Sequence, residues 1–232
     1  MEISEAILKE IKSSDGHLCK FHIPKTRKGK DRKSEVIDVL KKLGCENIIH
    51  VGACGHLKGI QKQLDENSWF HDKLCSNFKN VIGTDINKEA VAYLVGQGKK
   101  NLYDIDITVD GLRIKQLVKM NKGGAVLLPE VLEHIEEPYD FLRKVRKDFG
   151  GYHVVITVPN AFGTWVISNI FKHNYEKINA DHKYWFTPFT LLKVAALAGI
   201  EIEELRFCDY SVITKILKKP ILANTLLLVG KL

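Results

Sequence analysis

The sequence has no Cys-x-x-Cys pair, no apolar run long enough to cross a bilayer and no Gly-x-Gly-x-x-Gly fingerprint. The first absence rules out a zinc ribbon, whose thiolates come in closely spaced pairs. The five cysteines, Cys19, Cys45, Cys54, Cys75 and Cys208, are scattered and odd in number. With no export signal they read as reduced thiols. The longest apolar stretches, such as Val154 to Val158 and Leu226 to Val229, fall far short of the roughly 20 residues that span a bilayer, so no transmembrane helix is expected. Met1 to Lys12 alternates acidic, basic and apolar residues and lacks the apolar centre of a secretory signal, so the chain reads as cytoplasmic. Internal repeats and low-complexity tracts are also missing.

What is present is a chain of 232 residues with 45% apolar and 27% charged side chains, the balance of one compact domain. A chain of this length buries roughly 70 to 75% of the surface its unfolded form exposes. No disulfide or metal staple is then needed for a core, and any metal would be functional. The net charge of +7 is partly local, because Lys25, Arg27, Lys28, Lys30, Arg32 and Lys33 crowd into residues 25–33. Such a run is most often a solvated segment, and the functional alternative is a clamp for phosphate on nucleic acid, an anionic lipid or a phosphorylated substrate. Residues 1–33 therefore read as a basic N-terminal extension with at most one short helix, and residues 34–232 as the domain.

After Ser34, short β-branched runs alternate with amphipathic stretches, the pattern of βα units around a mostly parallel sheet. Ser34 is placed to cap a helix carrying Val36, Ile37, Val39, Leu40 and Leu43, closed by Gly44. Strands are expected at Asn47 to Val51, Asn80 to Thr84, Asn101 to Ile105, Ala125 to Leu128 (introduced by Gly123 and Gly124) and Tyr152 to Val158. Helices are expected from Asn87 to Val95, around Tyr139 to Lys147, and from the Thr187-Pro188 cap through Leu197. The runs Ile200 to Phe207 and Leu222 to Val229 leave no room for a crossover helix of normal size and pair most simply as antiparallel neighbours, giving seven strands.

In open parallel sheets, ligands sit beyond the carboxyl ends of the strands, near the point where strand order reverses. The turn after the first strand, His50-Val51-Gly52-Ala53-Cys54-Gly55-His56, is built of small residues that expose backbone amides, but Gly52, Gly55 and Gly59 do not match a pyrophosphate cradle. The second strand ends at Asp85, which fits either a ribose diol or a helix cap. Asp104-Ile105-Asp106 follows the third, where an acid fits an adenine amino group or a turn. The fourth runs into Pro129-Glu130-Val131-Leu132-Glu133-His134, and polar groups crowded there are costly unless used or paired.

The spacing of the small-residue turn, Asp85, Asp106, Glu130-Val131-Leu132-Glu133-His134, Val158-Pro159-Asn160 and Asp181-His182-Lys183-Tyr184-Trp185-Phe186-Thr187-Pro188 resembles class I S-adenosylmethionine-dependent methyltransferases, from about Ser34 to Leu232. It looks closest to the branch that methylates small molecules, including ubiquinone-type O-methyltransferases and enzymes of bacterial glycan pathways. The resemblance implies a Rossmann-like seven-stranded, mostly parallel sheet with an antiparallel last strand and helices on both faces. It implies S-adenosylmethionine as cofactor, with His50, Gly52, Ala53 and Cys54 in the first turn against its methionine part and sulfonium. Asp85 would lie on the ribose hydroxyls, Ile86 against adenine, Asp106 near the adenine amino group, and Pro129 and Glu130 at the methionine end. The first turn departs from the family pattern, with His50 at its usual acid and His56 at its third glycine.

The segment Ala161 to Ala180, with Phe162, Trp165, Ile170, Phe171 and Tyr175 beside Lys172, His173 and Lys177, fits either a cover over the acceptor pocket, where the family places such insertions, or an amphipathic helix over core. Lys215, Lys218 and Lys219 beside Ile213, Ile216 and Leu217 fit a solvated turn, a membrane surface or a phosphate.

Methyl transfer from a sulfonium is an in-line displacement in which the protein chiefly aligns the acceptor. A hydroxyl acceptor must lose a proton, and His134, then His182, are the candidate bases. Glu130, Glu133, His134 and His182 also form an N/O ligand set for a divalent ion, and the Glu-x-x-Glu-His pattern looks like the metal site of small-RNA 2′-O-methyltransferases. The leading expectation is O-methylation of a small-molecule or glycan hydroxyl. The alternatives are an RNA methyltransferase using a divalent metal, and a non-catalytic methyltransferase-fold subunit that binds a partner.

Overall fold

The computed structural model describes residues 1, 3–13, 16, 18–23, 29–55, 57–118 and 124–232. Its seven strands are β1 (Asn47–Val51), β2 (Asn80–Asp85), β3 (Leu102–Asp104), β4 (Gly124–Pro129), β5 (His153–Pro159), β6 (Glu201–Cys208) and β7 (Thr225–Lys231), ordered β3-β2-β1-β4-β5-β7-β6. Only β7 runs against the rest, pairing antiparallel with β5 and β6. The expected sheet is thus present.

Residues alternate between the faces of the sheet, as the two-residue period of a strand requires. Ile48, Ala125, Leu127 and Val155 face one side, while Ile49, Val126, Leu128 and Ile156 face the other. The helices that cover the first side include α2 (Arg32–Lys42) and α4 (Phe70–Asn77), through Val36, Val39, Leu40, Phe70 and Leu74. The second side is covered by α1 (Glu5–Lys12), α6 (Gly111–Val118), α7 (Pro138–Phe149) and α9 (Pro188–Leu197). A smaller cluster joins the first turn to α3 (Leu57–Asp65) and α5 (Lys88–Gly96) through Ala53, Cys54, Ile60 and Leu94. Helices α8 (Thr164–His173) and α10 (Val212–Leu217) complete the chain.

Several boundaries differ from expectation. The helix expected to begin at Ser34 starts at Arg32, because the Asp31 side chain accepts from Ser34 N and Asp209 accepts from Arg32 N, so the cap lies three residues earlier. The division at 33/34 therefore falls inside a helix. Parts of residues 1–33 pack on the rest of the chain: Ile11 is buried in the core, and Leu205 N donates to Met1 O at 3.0 Å. Strand β3 is shorter than expected. Strand β7 begins at Thr225, because Pro220–Leu222 forms a single 3-10 turn. Lys25, Arg27, Lys28, His56 and Gly123 lie outside the described residues. Among the described residues, no helix is long and apolar enough to cross a membrane.

Strand order reverses between β1 and β4, which lie side by side in the sheet. The turns after β1, β2 and β4 thus converge at the switch point where open α/β sheets bind ligands.

Candidate active site

Two cavities open along the carboxyl ends of the strands. One, about 740 Å³, is lined by Asp85, Ile86, Asp106, Ile107 and Thr108, together with Val131 and Phe141. The other, about 580 Å³, is lined by Arg32, Lys33, His50, Glu133, Trp165, His182 and Trp185. They share Gly52, Gly55, Glu130 and His134 as walls, so groups bound on either side would meet there.

The first turn folds back through the carboxylate that ends β2. Cys54 N donates to Asp85 Oδ2 and Asn87 N to Asp85 Oδ1, both at 2.9 Å. Asp85 is therefore a brace, and the cap of α5 is Asn87, whose side chain accepts from Ala90 N. Each oxygen of a carboxylate has a second acceptor site, which leaves Asp85 capacity for a diol in the cavity it lines. Trp69 Nε1 donates to Ala53 O at 3.0 Å and fixes the turn from the other side. Gly52 has φ +68°, and a Cβ there would come within 2.9 Å of Val131 Cγ2, so both backbone and space call for glycine. Burial, then the Asp85 charge, pushes the Cys54 thiol up to about 12. It is a packing group without nucleophilic character at neutral pH.

Ile86 is 76% exposed, yet it lines the larger cavity, which is what an apolar contact to a flat ring requires. Asp106 forms the turn expected of it, with Oδ1 accepting from Thr108 N and Oγ1 at 2.8 and 2.7 Å, and it lines the same cavity. Ala53, Cys54 and Pro129 line the smaller cavity instead.

His50 also belongs to the smaller cavity and is only 2% exposed. Its Nδ1 lies 3.2 Å from Nδ1 of His71 on α4, and its ring meets Phe70 edge-on. Two imidazoles in such contact need one donor and one acceptor nitrogen, so the accepting ring is neutral. Burial holds His50 well below the ordinary histidine range and His71 down to about 4. His50 is thus half of a buried neutral pair next to a first turn whose Gly52 and Gly55 line both cavities.

At the end of β4 the chain turns sharply. Glu130 takes φ +56°, a left-handed conformation that costs a non-glycine residue roughly 1 kcal/mol, and is held by Glu130 N donating to Thr157 O at 2.9 Å. Its carboxylate accepts from Thr157 Oγ1 at 3.0 Å and lies 3.6 Å from Arg32. Burial raises its pKa against the pull of Arg32.

Glu133 is 1% exposed, and neither carboxylate oxygen has a hydrogen-bond partner among the described residues. Burial, then the Glu130 charge, pushes its carboxyl up to about 8. His134 Nε2 stands 4.0 Å from it, while His134 Nδ1 lies 3.1 Å from Asp181 Oδ2. The rings of His134 and His182 meet edge-on with centroids 4.7 Å apart. Glu133, His134 and His182 each offer one ligand atom within 4.8 Å of the others. Three of the four sequence-predicted metal residues thus come together, and Glu130 stands outside that group.

The sequence reading missed the partners: Asp181 against His134, His71 against His50, and Trp69 on the first turn. Asp181 and the indole of Trp185 were visible only as letters of a longer motif. Arg32 and Lys33 were visible as part of a basic run, but not as cavity wall.

The buried groups oppose one another in pH. Unfolded imidazoles take up a proton near 6.5, whereas the His50–His71 pair resists, so its stabilising effect is complete above pH 6.5 and is lost as pH falls. Glu133, with its folded pKa raised, does the reverse: its contribution is full below about 4.5 and is lost as pH rises toward 8. Each group acts with up to about 1.4 kcal/mol per pH unit. Denaturant unfolding without metal is expected to show greatest stability near pH 6.5, with a decline on both sides. Stability climbing steadily from pH 6.5 to 8 would contradict this assignment.

No protein-family model and no curated protein matches the sequence. Solved structures do. A SAM-dependent methyltransferase from Archaeoglobus fulgidus is 17% identical with TM-score 0.54, covering 86% of this chain and 94% of that one. The small RNA methyltransferase HEN1 is 20% identical with TM-score 0.56, covering 91% of this chain and 27% of the other. The methyltransferase domain of bacterial CtHen1-CN is 19% identical with TM-score 0.50, covering 87% and 97%. Together with the strand order and the cavities at the switch point, these likenesses show that the chain has the class I S-adenosylmethionine-dependent methyltransferase fold.

Proposed function

We propose that the protein transfers the methyl group of S-adenosylmethionine to a hydroxyl of a small-molecule or glycan acceptor bound in the 580 Å³ cavity. The observation that carries this reading is the grouping of Glu133, His134 and His182 beside the walls that the two cavities share.

The larger cavity fits the cofactor. Glycines with positive φ open the first turn, Asp85 keeps acceptor sites that would take ribose hydroxyls, Ile86 offers an apolar surface that would pack on adenine, and Asp106 lines the same cavity, where it would accept from the adenine amino group. Gly52, Gly55 and Glu130 would border the methionine end. When bound, the cofactor supplies an electrophilic methyl on a sulfonium, which is already a strong leaving group.

The chain then has to align the acceptor and take its proton. Trp165 and Trp185 line the cavity and supply apolar contact to an acceptor. Asp181 orients His134: if Nδ1–H donates to Asp181, Nε2 keeps a lone pair for a hydroxyl proton. Glu133, His134 and His182 also fit a divalent ion, since two imidazoles and a buried carboxylate without hydrogen-bond partners among the described residues are an N/O donor set. Such an ion would lower the pKa of a bound hydroxyl.

The test is transfer of a radiolabelled methyl group to a panel of sugars, glycans and phenols, with divalent metal and with chelator. Incorporation abolished by chelator assigns proton loss to metal assistance, and full activity in chelator assigns it to His134. Incorporation into amines alone would refute the hydroxyl reading. RNA as acceptor is favoured by one observation, the placement of Arg32 and Lys33 in the cavity wall, and by likeness to a protein named as a small RNA methyltransferase. Filter binding at low salt checks it, with a steep loss on adding salt expected if RNA is bound.

A further inference from the structure

Helix α10 is built inside out. Its polar Thr214 is fully buried and donates through Oγ1 to Leu222 O at 3.0 Å, while Val212, Ile213, Ile216 and Leu217 face solvent at 72, 54, 70 and 48% exposure. Helix α8 turns apolar Val166 inward but also leaves large apolar side chains in solvent, with Ile170 at 47% and Phe171 at 85% exposure. Leaving large apolar side chains in water forgoes the usual gain of burial, and clustered exposure of this kind marks an interaction surface.

The start of α8 meets the segment that follows α10, to which α10 is joined through Thr214 and Leu222. Asn224 Oδ1 accepts from Trp165 N at 2.9 Å and from Thr164 Oγ1 at 3.1 Å, and Asn160 Nδ2 donates to Ile221 O and Ala223 O at 2.8 and 2.6 Å. Trp165 and Asn224 also line the smaller cavity, so this surface adjoins that cavity. Its charge has one sign. Lys172, Lys177, Lys215, Lys218 and Lys219 flank the apolar residues, and Glu176 is the only acid in residues 161–180 and 211–222.

We propose that α8 and α10 dock the protein onto an anionic lipid bilayer. Val212, Ile213, Ile216, Leu217 and Phe171 enter the interfacial layer, and the lysines meet headgroup phosphates from stems long enough to reach back to them. The chemistry selects this occupant. A nucleic-acid backbone rewards the lysines but gains nothing from four aliphatic side chains, and a second copy would set the same positive charges against each other across a self-complementary contact. Docking brings the rim of the smaller cavity to the membrane, so the acceptor would be a hydroxyl-bearing molecule held at the bilayer. That last step rests on the methyl-transfer reading, whereas the docking itself does not.

The experiment is co-sedimentation of the full chain, without cofactor or acceptor, with vesicles of phosphatidylcholine alone and of phosphatidylcholine mixed with phosphatidylglycerol. Strong partition onto the mixed vesicles at low salt is expected, with little onto the neutral ones. Combined Lys215→Ser, Lys218→Ser and Lys219→Ser should lower that partition by ~10- to 100-fold. Combined Ile213→Ser and Ile216→Ser should lower it by at least ~10-fold. Both variants should keep native circular dichroism and the melting temperature of the parent. Absence of partition onto anionic vesicles, equal partition by the variants, or retention on RNA in place of vesicles would each overturn the proposal. Because nothing in the assay depends on methyl transfer, its failure and failure of the proposed activity are separate results.

Discussion

Replacing Asp85 by alanine is expected to weaken S-adenosylhomocysteine binding by more than ~100-fold. One part of the effect is direct: hydrogen bonds to a charged group contribute roughly 1.5 to 3 kcal/mol each, and a diol would lose two. Another part is structural, because Cys54 N and Asn87 N both donate to this carboxylate. Losing their acceptor loosens the first turn and costs about 1 to 3 kcal/mol for each amide that water does not reach. Asp85→Asn separates the two. Its carbonyl oxygen still accepts one backbone N–H, so its melting temperature should stay closer to native than that of Asp85→Ala, while ligand affinity still falls by at least ~10-fold. Titration calorimetry and thermal unfolding on the three proteins check this. Native affinity in Asp85→Ala would remove the residue from the cofactor site.

The second large effect is expected at Glu133. In the metal-free protein this buried carboxyl is pushed up to about 8, by burial first and by Glu130 second. It therefore carries its proton at neutral pH. A divalent ion binding there must displace that proton, so apparent metal affinity should rise with pH up to about 8 and level off beyond. Losing a group that merely supports a metal ligand costs about 10- to 100-fold in affinity, so Glu133→Gln, which removes a ligand, should cost at least ~100-fold. The fold should survive, because glutamine matches the neutral, protonated form in size and polarity. Metal titrations at several pH values, in buffers of different ionisation enthalpy, read both the affinity and the proton released. PH-independent affinity, or an unchanged constant in Glu133→Gln, would show that the cluster is not a metal centre.

The sheet was legible because its strands are near-continuous apolar runs bounded by glycine, proline or polar turns, as in Ala125 to Leu128 and Val154 to Val158. Helix α4 was not, because its buried face is Phe70, His71 and Leu74, and a buried histidine breaks the apolar period that reveals a helix. Helix α3 follows a glycine-rich turn and contains Gly59, a poor helix former, and no element was expected there. Helix α2 begins earlier than its pattern suggests because Asp209, far along the chain, holds its first turn.

Within the site, Asp85, Asp106, Glu133 and His134 stood out as polar groups following apolar strands. How they are used did not. The contacts of His134 with Asp181 and His182, and of His50 with His71, join residues distant in sequence, and their meeting is set by tertiary packing. The inverted face of α10 is a similar case. Ile213, Ile216 and Leu217 beside their lysines fitted a solvated turn, a membrane surface or a phosphate, and the inward position of Thr214 is what shows that they and Val212 stay exposed.

If the larger cavity is the site of S-adenosylmethionine, titration calorimetry of the native chain with S-adenosylhomocysteine reads it directly. Saturable binding at one site per chain is expected, with a dissociation constant on the order of 10 µM, or about −7 kcal/mol. No heat and no rise in melting temperature at millimolar ligand would contradict it. The altered first turn would then have closed the cofactor site, and the chain would be a methyltransferase-fold subunit without methyltransferase chemistry.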